Sequence, residues 1–142
     1  MSVAALIAWL VTAAGGFYLL GTWLQKGGMR NSKFPKGVVF GHFALAAVGL
    51  IIWIIFLVAG SQALAWVAFV LLVPIAALGF TMLARWVPTY RARTTVGGAA
   101  RAAVGEAPAE RHLPVAAVGA HGLIAVATVV IVLLAALGVG TH

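Results

Sequence analysis

Four uninterrupted apolar runs constrain this chain more than any other feature. They cover residues 3–24, 38–59, 64–84 and 115–139 and are separated by polar connections. About 20 apolar helical residues cross the hydrocarbon of a bilayer, so each run is long enough to span one. A soluble fold of this size has no interior large enough to hide them: 64% of the 142 residues are hydrophobic and 8% are charged, and the mean hydropathy is +1.15. Helices are the expected form, because lipid offers no partner to an open backbone N–H or C=O. The first run lacks a basic start and is longer than the roughly 7–15 apolar residues of a signal peptide, so it is read as a retained helix.

Charge placement orients the spans. All nine Lys and Arg fall in two connections: Lys26, Arg30, Lys33 and Lys36 in the first, and Arg85, Arg91, Arg93, Arg101 and Arg111 in the third. The two acids, Glu106 and Glu110, also lie in the third connection. The N-terminus, the Gly60-Ser61-Gln62 turn and the tail Gly140-Thr141-His142 carry no Lys or Arg. The positive-inside rule then places both basic connections in the cytoplasm and both termini outside. The net charge of +7 is thus mainly a topology signal, with a basic strip against anionic headgroups as a secondary expectation. Nucleic acid is not an expected partner, since the cations sit in juxtamembrane loops. With Ala, Val and Gly abundant, the expected location is a bacterial plasma (inner) membrane, multi-pass, with both ends on the outer side.

The chain has no cysteine. This excludes thiolate-held iron–sulfur clusters, covalent c-type haem, disulfides and thiol redox chemistry.

An internal repeat underlies the four spans. Residues 16–23 read GFYLLGTW and residues 79–86 read GFTMLARW, pairing Gly16 with Gly79, Phe17 with Phe80, Leu20 with Leu83 and Trp23 with Trp86. Residues 35–42 read PKGVVFGH and residues 114–121 read PVAAVGAH, both P-x6-H. The expected fold is therefore all-α: an antiparallel bundle of four transmembrane helices, built from two tandem helical-hairpin repeats in one membrane domain. The hairpins cover residues 1–60 and 61–142, with cytoplasmic loops at about 25–37 and 85–113. Two hairpins of like orientation would be related by an axis along the membrane normal. Pro35 and Pro114 suit the first turn of a helix, and Trp23 and Trp86 suit the interface.

The repeat places His42 and His121 at one depth. Each lies seven residues past its proline, one to two turns into the membrane from the cytoplasmic side. The stripe from His42 continues through Ala46, Gly49 and Trp53, and that from His121 through Ala125 and Thr128. Small residues beside each imidazole leave room for something wide and flat, and Gly41, Gly122, Gly16 and Gly79 are expected to relieve crowding further. Two imidazoles from different helices suit the two axial positions of haem b, a six-coordinate site for electron transfer. In this pattern the chain resembles membrane b-type cytochromes, including four-helix proteins and respiratory-complex anchors in which paired transmembrane histidines hold haem. The resemblance gives His42 and His121 the ligand roles. It supports one haem per chain, since His112 and His142 lie in a loop and at the C-terminus. Arg85, Lys36 and Arg111 are placed to meet haem propionates at the cytoplasmic interface, although each also serves as an ordinary positive-inside anchor.

Other readings stay open at this point. The histidines also suit a quinone or an interhelical polar contact, and they serve equally a haem shared across a homodimer interface. A non-redox scaffold or assembly subunit of a larger respiratory or envelope complex explains the small size and the Gly/Ala-rich faces without a cofactor. Proton- or ion-coupled transport is disfavoured, because the spans hold no Asp or Glu. An autonomous hydrolase or transferase is disfavoured because the hydroxyls Thr12, Tyr18, Thr22, Thr81 and Thr128 do not group with a base. The third connection, rich in small residues with a Gly pair and a proline, is expected to be flexible, with one short amphipathic turn, and to order only against a partner. The sequence thus leads to an electron-transfer protein that exchanges electrons with quinol or a partner subunit.

Overall fold

The computed structural model describes residues 1–140, so Thr141 and His142 of the uncharged tail lie outside the described residues. Among the described residues the chain is all-helical, with no strand: α1 (Ser2–Gln25), α2 (Lys36–Ala59), α3 (Gln62–Arg91), α4 (Val96–Ala103) and α5 (Val115–Ala136). The four long helices α1, α2, α3 and α5 are each apolar and long enough to cross a membrane, which makes this a multi-pass membrane protein. Between 11% and 17% of the residues in their most apolar windows are buried. Most of the apolar surface therefore faces outward, as it must where lipid is the solvent; Val58, Leu123 and Phe80 are 86%, 74% and 62% exposed.

Helix boundaries follow local chemistry. Pro35 and Pro114 stand just before α2 and α5 in extended conformation, each lacking an N–H that would be unpaired there in any case. Gly60 ends α2 at φ +67, a left-handed conformation that side chains resist, and its N–H closes on the Phe56 carbonyl. The third helix runs to Arg91, past the expected end near residue 84, and passes through Pro74 and Pro88. Its extension carries Trp86 and Thr89 inward and Arg85, Pro88 and Arg91 outward, so the backbone bond lost at Pro88 falls on the exposed side, where water and headgroups supply a substitute.

The long helices form a ring. α2 packs extensively on α3 and α1 on α5, with lighter contacts between α3 and α5 and between α1 and α2. α1 and α3 are thus one diagonal pair, and α2 and α5 are the other. The core at the end where the termini meet relies on small residues: Ala5, Ala65, Ala68 and Ala135 are all 0% exposed. Apolar side chains gain little by leaving lipid for a protein interior, so close backbone approach at alanines replaces the hydrophobic effect as the source of packing energy. Trp9, Trp53 and Phe56 fill the remaining volume.

Hydrogen bonds close that end. The Met1 ammonium donates to the Gly140 carbonyl at 2.9 Å, and the Trp53 indole N–H donates to the Ser2 carbonyl at 3.2 Å. The Gln62 amide donates to the carbonyls of Ala135 and Ala136 in the last turn of α5, where Ala135 also accepts the Gly138 N–H. A second core, made of Trp23, Phe34, Val39, Trp86, Ala109 and Leu113, lies at the opposite end, beneath the two basic connections.

Those connections are joined, contrary to the expectation of a flexible third loop. α4 is capped by Thr95, whose hydroxyl accepts the Gly98 N–H at 3.1 Å, and short 3-10 turns flank it at Ala92–Thr94 and Ala109–His112. The Ala109 N–H donates to the Asn31 carbonyl at 2.9 Å, while the Asn31 amide donates to the carbonyls of Glu106 and Ala107. Composition suggested a segment unable to bury enough surface to order itself. Its order comes from docking on the first connection.

Candidate functional site

Between the two cores lies a layer built by His42 of α2 and His121 of α5, the diagonal pair. Their ring centroids are 6.4 Å apart and their planes meet at 69°. Both imidazoles are partly buried. The Nδ1 of His42 bonds the Ile75 carbonyl on α3 at 2.8 Å, and the Nδ1 of His121 bonds the Thr12 carbonyl on α1 at 3.0 Å. A carbonyl only accepts, so in each neutral ring Nδ1 carries the proton and Nε2 keeps the lone pair. This is the tautomer that metal-ligating histidines commonly adopt, with the second nitrogen fixed by a backbone oxygen.

Glycine makes this approach feasible. Gly16 lies four residues after Thr12, and Gly79 four residues after Ile75, one helical turn along the same face in each case. A Cβ on Gly16 would lie 3.2 Å from His121 Cε1, and one on Gly79 would lie 3.3 Å from His42 Cε1. A Cβ on Gly15 would also meet His121, at 3.4 Å from Nδ1. Each glycine thus opens the slot through which the opposite imidazole reaches a helix carbonyl.

The other expected site residues divide. Ala46 and Ala125, one turn from the histidines, are partly buried. Gly49 receives the Trp9 indole, whose Cζ2 would lie 2.9 Å from an added Cβ. Thr128 is buried, its hydroxyl 3.0 Å from that of Thr12 and also bonded to the Ile124 carbonyl. Gly49 and Thr128 are therefore occupied by the protein itself, closing the histidine layer on the side of the termini. Gly41 meets only Leu78, at 3.7 Å, and Gly122 has nothing within 4 Å, so neither flanks the opposite ring. Of the expected propionate partners, Arg85 donates to the Lys33 carbonyl at 3.1 Å, and Arg111 donates to the carbonyls of Gly98 at 2.6 Å and Arg93 at 3.2 Å. Lys36, the first residue of α2, is exposed.

The donor set can be tested against candidate ligands. Among the described residues no group of three or more His, Cys, Asp or Glu gathers, which leaves a bare metal ion with two protein ligands. Haem needs no more than two, because the porphyrin supplies four nitrogens of its own. Ligand number, helix placement and tautomer thus fit haem b. The slots at Gly16 and Gly79 are filled by the imidazoles themselves, so a porphyrin would require the two rings to part.

At the loop end lies a second polar cluster, of which the residue pattern carried little sign. Glu110 is 0% exposed; it accepts the Ser32 hydroxyl at 2.8 Å and the Lys33 N–H at 2.6 Å. Ser32 Oγ in turn accepts the Trp23 indole N–H and the Phe34 N–H, both at 2.9 Å. The Glu110 carboxylate therefore joins the third connection to the first. That it is one of only two acids among nine cations was its one available sequence signal. His112 beside it is held below its ordinary pKa, first by desolvation and then by the charges of Lys26, Arg111 and Arg93.

No protein family, curated protein or solved structure matches the chain.

Proposed function

We propose that this protein is a b-type haem electron-transfer protein of a bacterial plasma membrane, holding one haem between His42 and His121. The observation that carries the reading is the matched pair of Nδ1–carbonyl bonds, which turns each Nε2 lone pair into a ligand position. Haem held there by His42 and His121 would supply one-electron transfer. The chain's residues do the rest. The carbonyls of Thr12 and Ile75 orient the rings, Gly16 and Gly79 give them access, and the Thr12–Thr128 contact and Trp9 limit water entry from the far side. Lys36 makes no hydrogen bond or ion pair among the described residues and is the cation most available to a propionate; Arg85 and Arg111 already hold loop carbonyls.

The topology belongs to the same proposal: two tandem hairpins, α1–α2 and α3–α5, with both termini outside and both basic connections cytoplasmic. Its support is the equivalence of contacts across the halves. Thr12 precedes Gly16 by the same interval as Ile75 precedes Gly79, and each carbonyl receives the histidine of the other half. The haem would then lie nearer the cytoplasmic face. One centre on one side cannot carry an electron across the membrane, so quinol or a redox subunit is the implied donor or acceptor.

The test is the visible spectrum of protein purified in detergent from haem-replete cells. The expected result is a Soret band and a dithionite-reduced α-band typical of haem b, lost in His42→Ala and in His121→Ala. A colourless protein refutes the reading and leaves the scaffold role, which co-purification with a respiratory or envelope complex would reveal.

A further inference from the structure

We infer that the cleft between the first connection and the loop end of α3 binds the headgroup of an anionic glycerophospholipid, through its phosphate and a glycerol hydroxyl. The cleft has a volume of about 530 Å³ and is lined by Ser32, Lys33, Ala84, Arg85 and Pro88. Its cations are unneutralised: neither Lys33 nor Arg85 forms an ion pair among the described residues. Both oxygens of the nearest buried acid, Glu110, are turned to the Ser32 hydroxyl and the Lys33 N–H. Arg85 is positioned rather than loose. One guanidinium nitrogen donates to the Lys33 carbonyl, and the remaining N–H groups of the fork are left for an oxyanion.

The cleft also presents an acceptor. Pro88 has no N–H, so the carbonyl of Ala84, four residues earlier, lacks its helical donor, and both residues line the cleft. A ligand with phosphate oxygens for Arg85 and Lys33 and a hydroxyl for Ala84 answers both needs, and a phosphoglycerol headgroup has both groups.

A lipid is favoured over a free phosphate by what leads away from the cleft. Val73, Ala77, Phe80, Ala84 and Pro88 form one stripe along α3 at helical spacing, and all are exposed. From Ala84 back to Val73 this stripe runs about 15 Å, roughly half the hydrocarbon thickness and so the reach of an acyl chain. Basic pockets at the cytoplasmic ends of membrane helices commonly take such headgroups.

Native mass spectrometry of the full chain in a zwitterionic detergent tests this, with phosphatidylglycerol, phosphatidic acid, phosphatidylcholine and inorganic phosphate as separate probes. Phosphatidylglycerol is expected to bind about tenfold or more tightly than phosphatidylcholine, the scale of a charge-assisted contact. Arg85→Gln, and Lys33→Gln as a second variant should the first not fold, are expected to remove most of that preference, and Arg91→Gln, outside the cleft, to leave it. Pro88→Ala restores a helical donor to the Ala84 carbonyl and keeps every charge. It is expected to weaken phosphatidylglycerol about two- to tenfold while sparing phosphatidic acid. Equal binding of phosphatidylglycerol and phosphatidylcholine, or an equal loss in Arg91→Gln, overturns the site; an unchanged ratio of phosphatidylglycerol to phosphatidic acid in Pro88→Ala overturns the hydroxyl contact. Displacement of the lipid by inorganic phosphate would reassign the cleft to the free anion.

Discussion

Replacing Glu110 by Gln is the sharpest probe of how the loop end holds the bundle together, because the substitution preserves shape and removes one acceptor. Ser32 Oγ already accepts from Trp23 and Phe34, which fills both of its lone pairs and leaves its proton only the carboxylate. The Lys33 N–H needs the second carboxylate oxygen. A glutamine offers one oxygen and one NH2, so whichever way it turns, one donor faces another donor. The loss is one hydrogen bond to a charged group, about 1.5–3 kcal/mol. Alanine removes both and leaves a void, about 3–6 kcal/mol, a large part of the roughly 5–15 kcal/mol that separates folded from unfolded chains.

Hydrogen exchange in detergent reads this locally and avoids the irreversible unfolding common in membrane proteins. In Glu110→Gln the Lys33 amide and its neighbours in the first connection are expected to exchange roughly 10- to 150-fold faster, while amides in α1 near Ala5 stay as protected as before. Unchanged exchange at Lys33 together with an unchanged thermal transition would refute the assignment of Glu110 as the tie between the two connections.

Three further outcomes follow from named contacts. Gly16→Ala and Gly79→Ala each push a methyl to within 3.2–3.3 Å of an imidazole carbon, so each is expected to weaken haem retention by about tenfold, measured by haem titration of stripped protein, with similar effects from the two sites. Gly49→Ala drives a Cβ to 2.9 Å from Trp9 and is expected to cost about 1–3 kcal/mol, seen as a lower thermal transition and altered indole fluorescence. His112 is expected to titrate below the ordinary histidine value of about 6.5 by NMR, and Arg93→Gln to move its midpoint upward. Because the folded state binds this proton less readily than the unfolded chain does, its contribution lowers stability as pH falls below about 6.5 and leaves it constant above.

The spans were legible because hydropathy is a local property and bilayer thickness fixes a length, and the histidine layer was legible because equal proline-to-histidine intervals put two residues at one depth without knowledge of packing. Periodicity also identified Gly49 and Thr128 as sharing the histidine faces, but a shared face does not reveal that Trp9 sits on one and Thr12 bonds the other. Those contacts come from α1, whose rotation depends on the assembled bundle. The docked third connection was illegible for a similar reason: a stretch of Ala, Gly and Val can turn into a short helix but carries no pattern that says where it packs, and its placement follows from where Glu110 meets Ser32.

The two Nδ1 bonds unite site and architecture. Under the proposed duplication, His42 of the first hairpin bonds α3 of the second, and His121 of the second bonds α1 of the first. The most extensive helix contacts, α2 with α3 and α1 with α5, also cross between the hairpins. Neither hairpin alone can present a fixed imidazole, because the carbonyl that fixes it belongs to the other. The bonds that join the halves are therefore those that orient the two imidazoles. A ring already held at Nδ1 loses less freedom on ligation than a free one, which favours binding, and the same bond makes Nε2 a stronger donor. In the proposed haem site, stronger donation from both imidazoles would favour oxidised iron and lower the reduction potential, so the carbonyls of Thr12 and Ile75 would tune the site alongside the histidines.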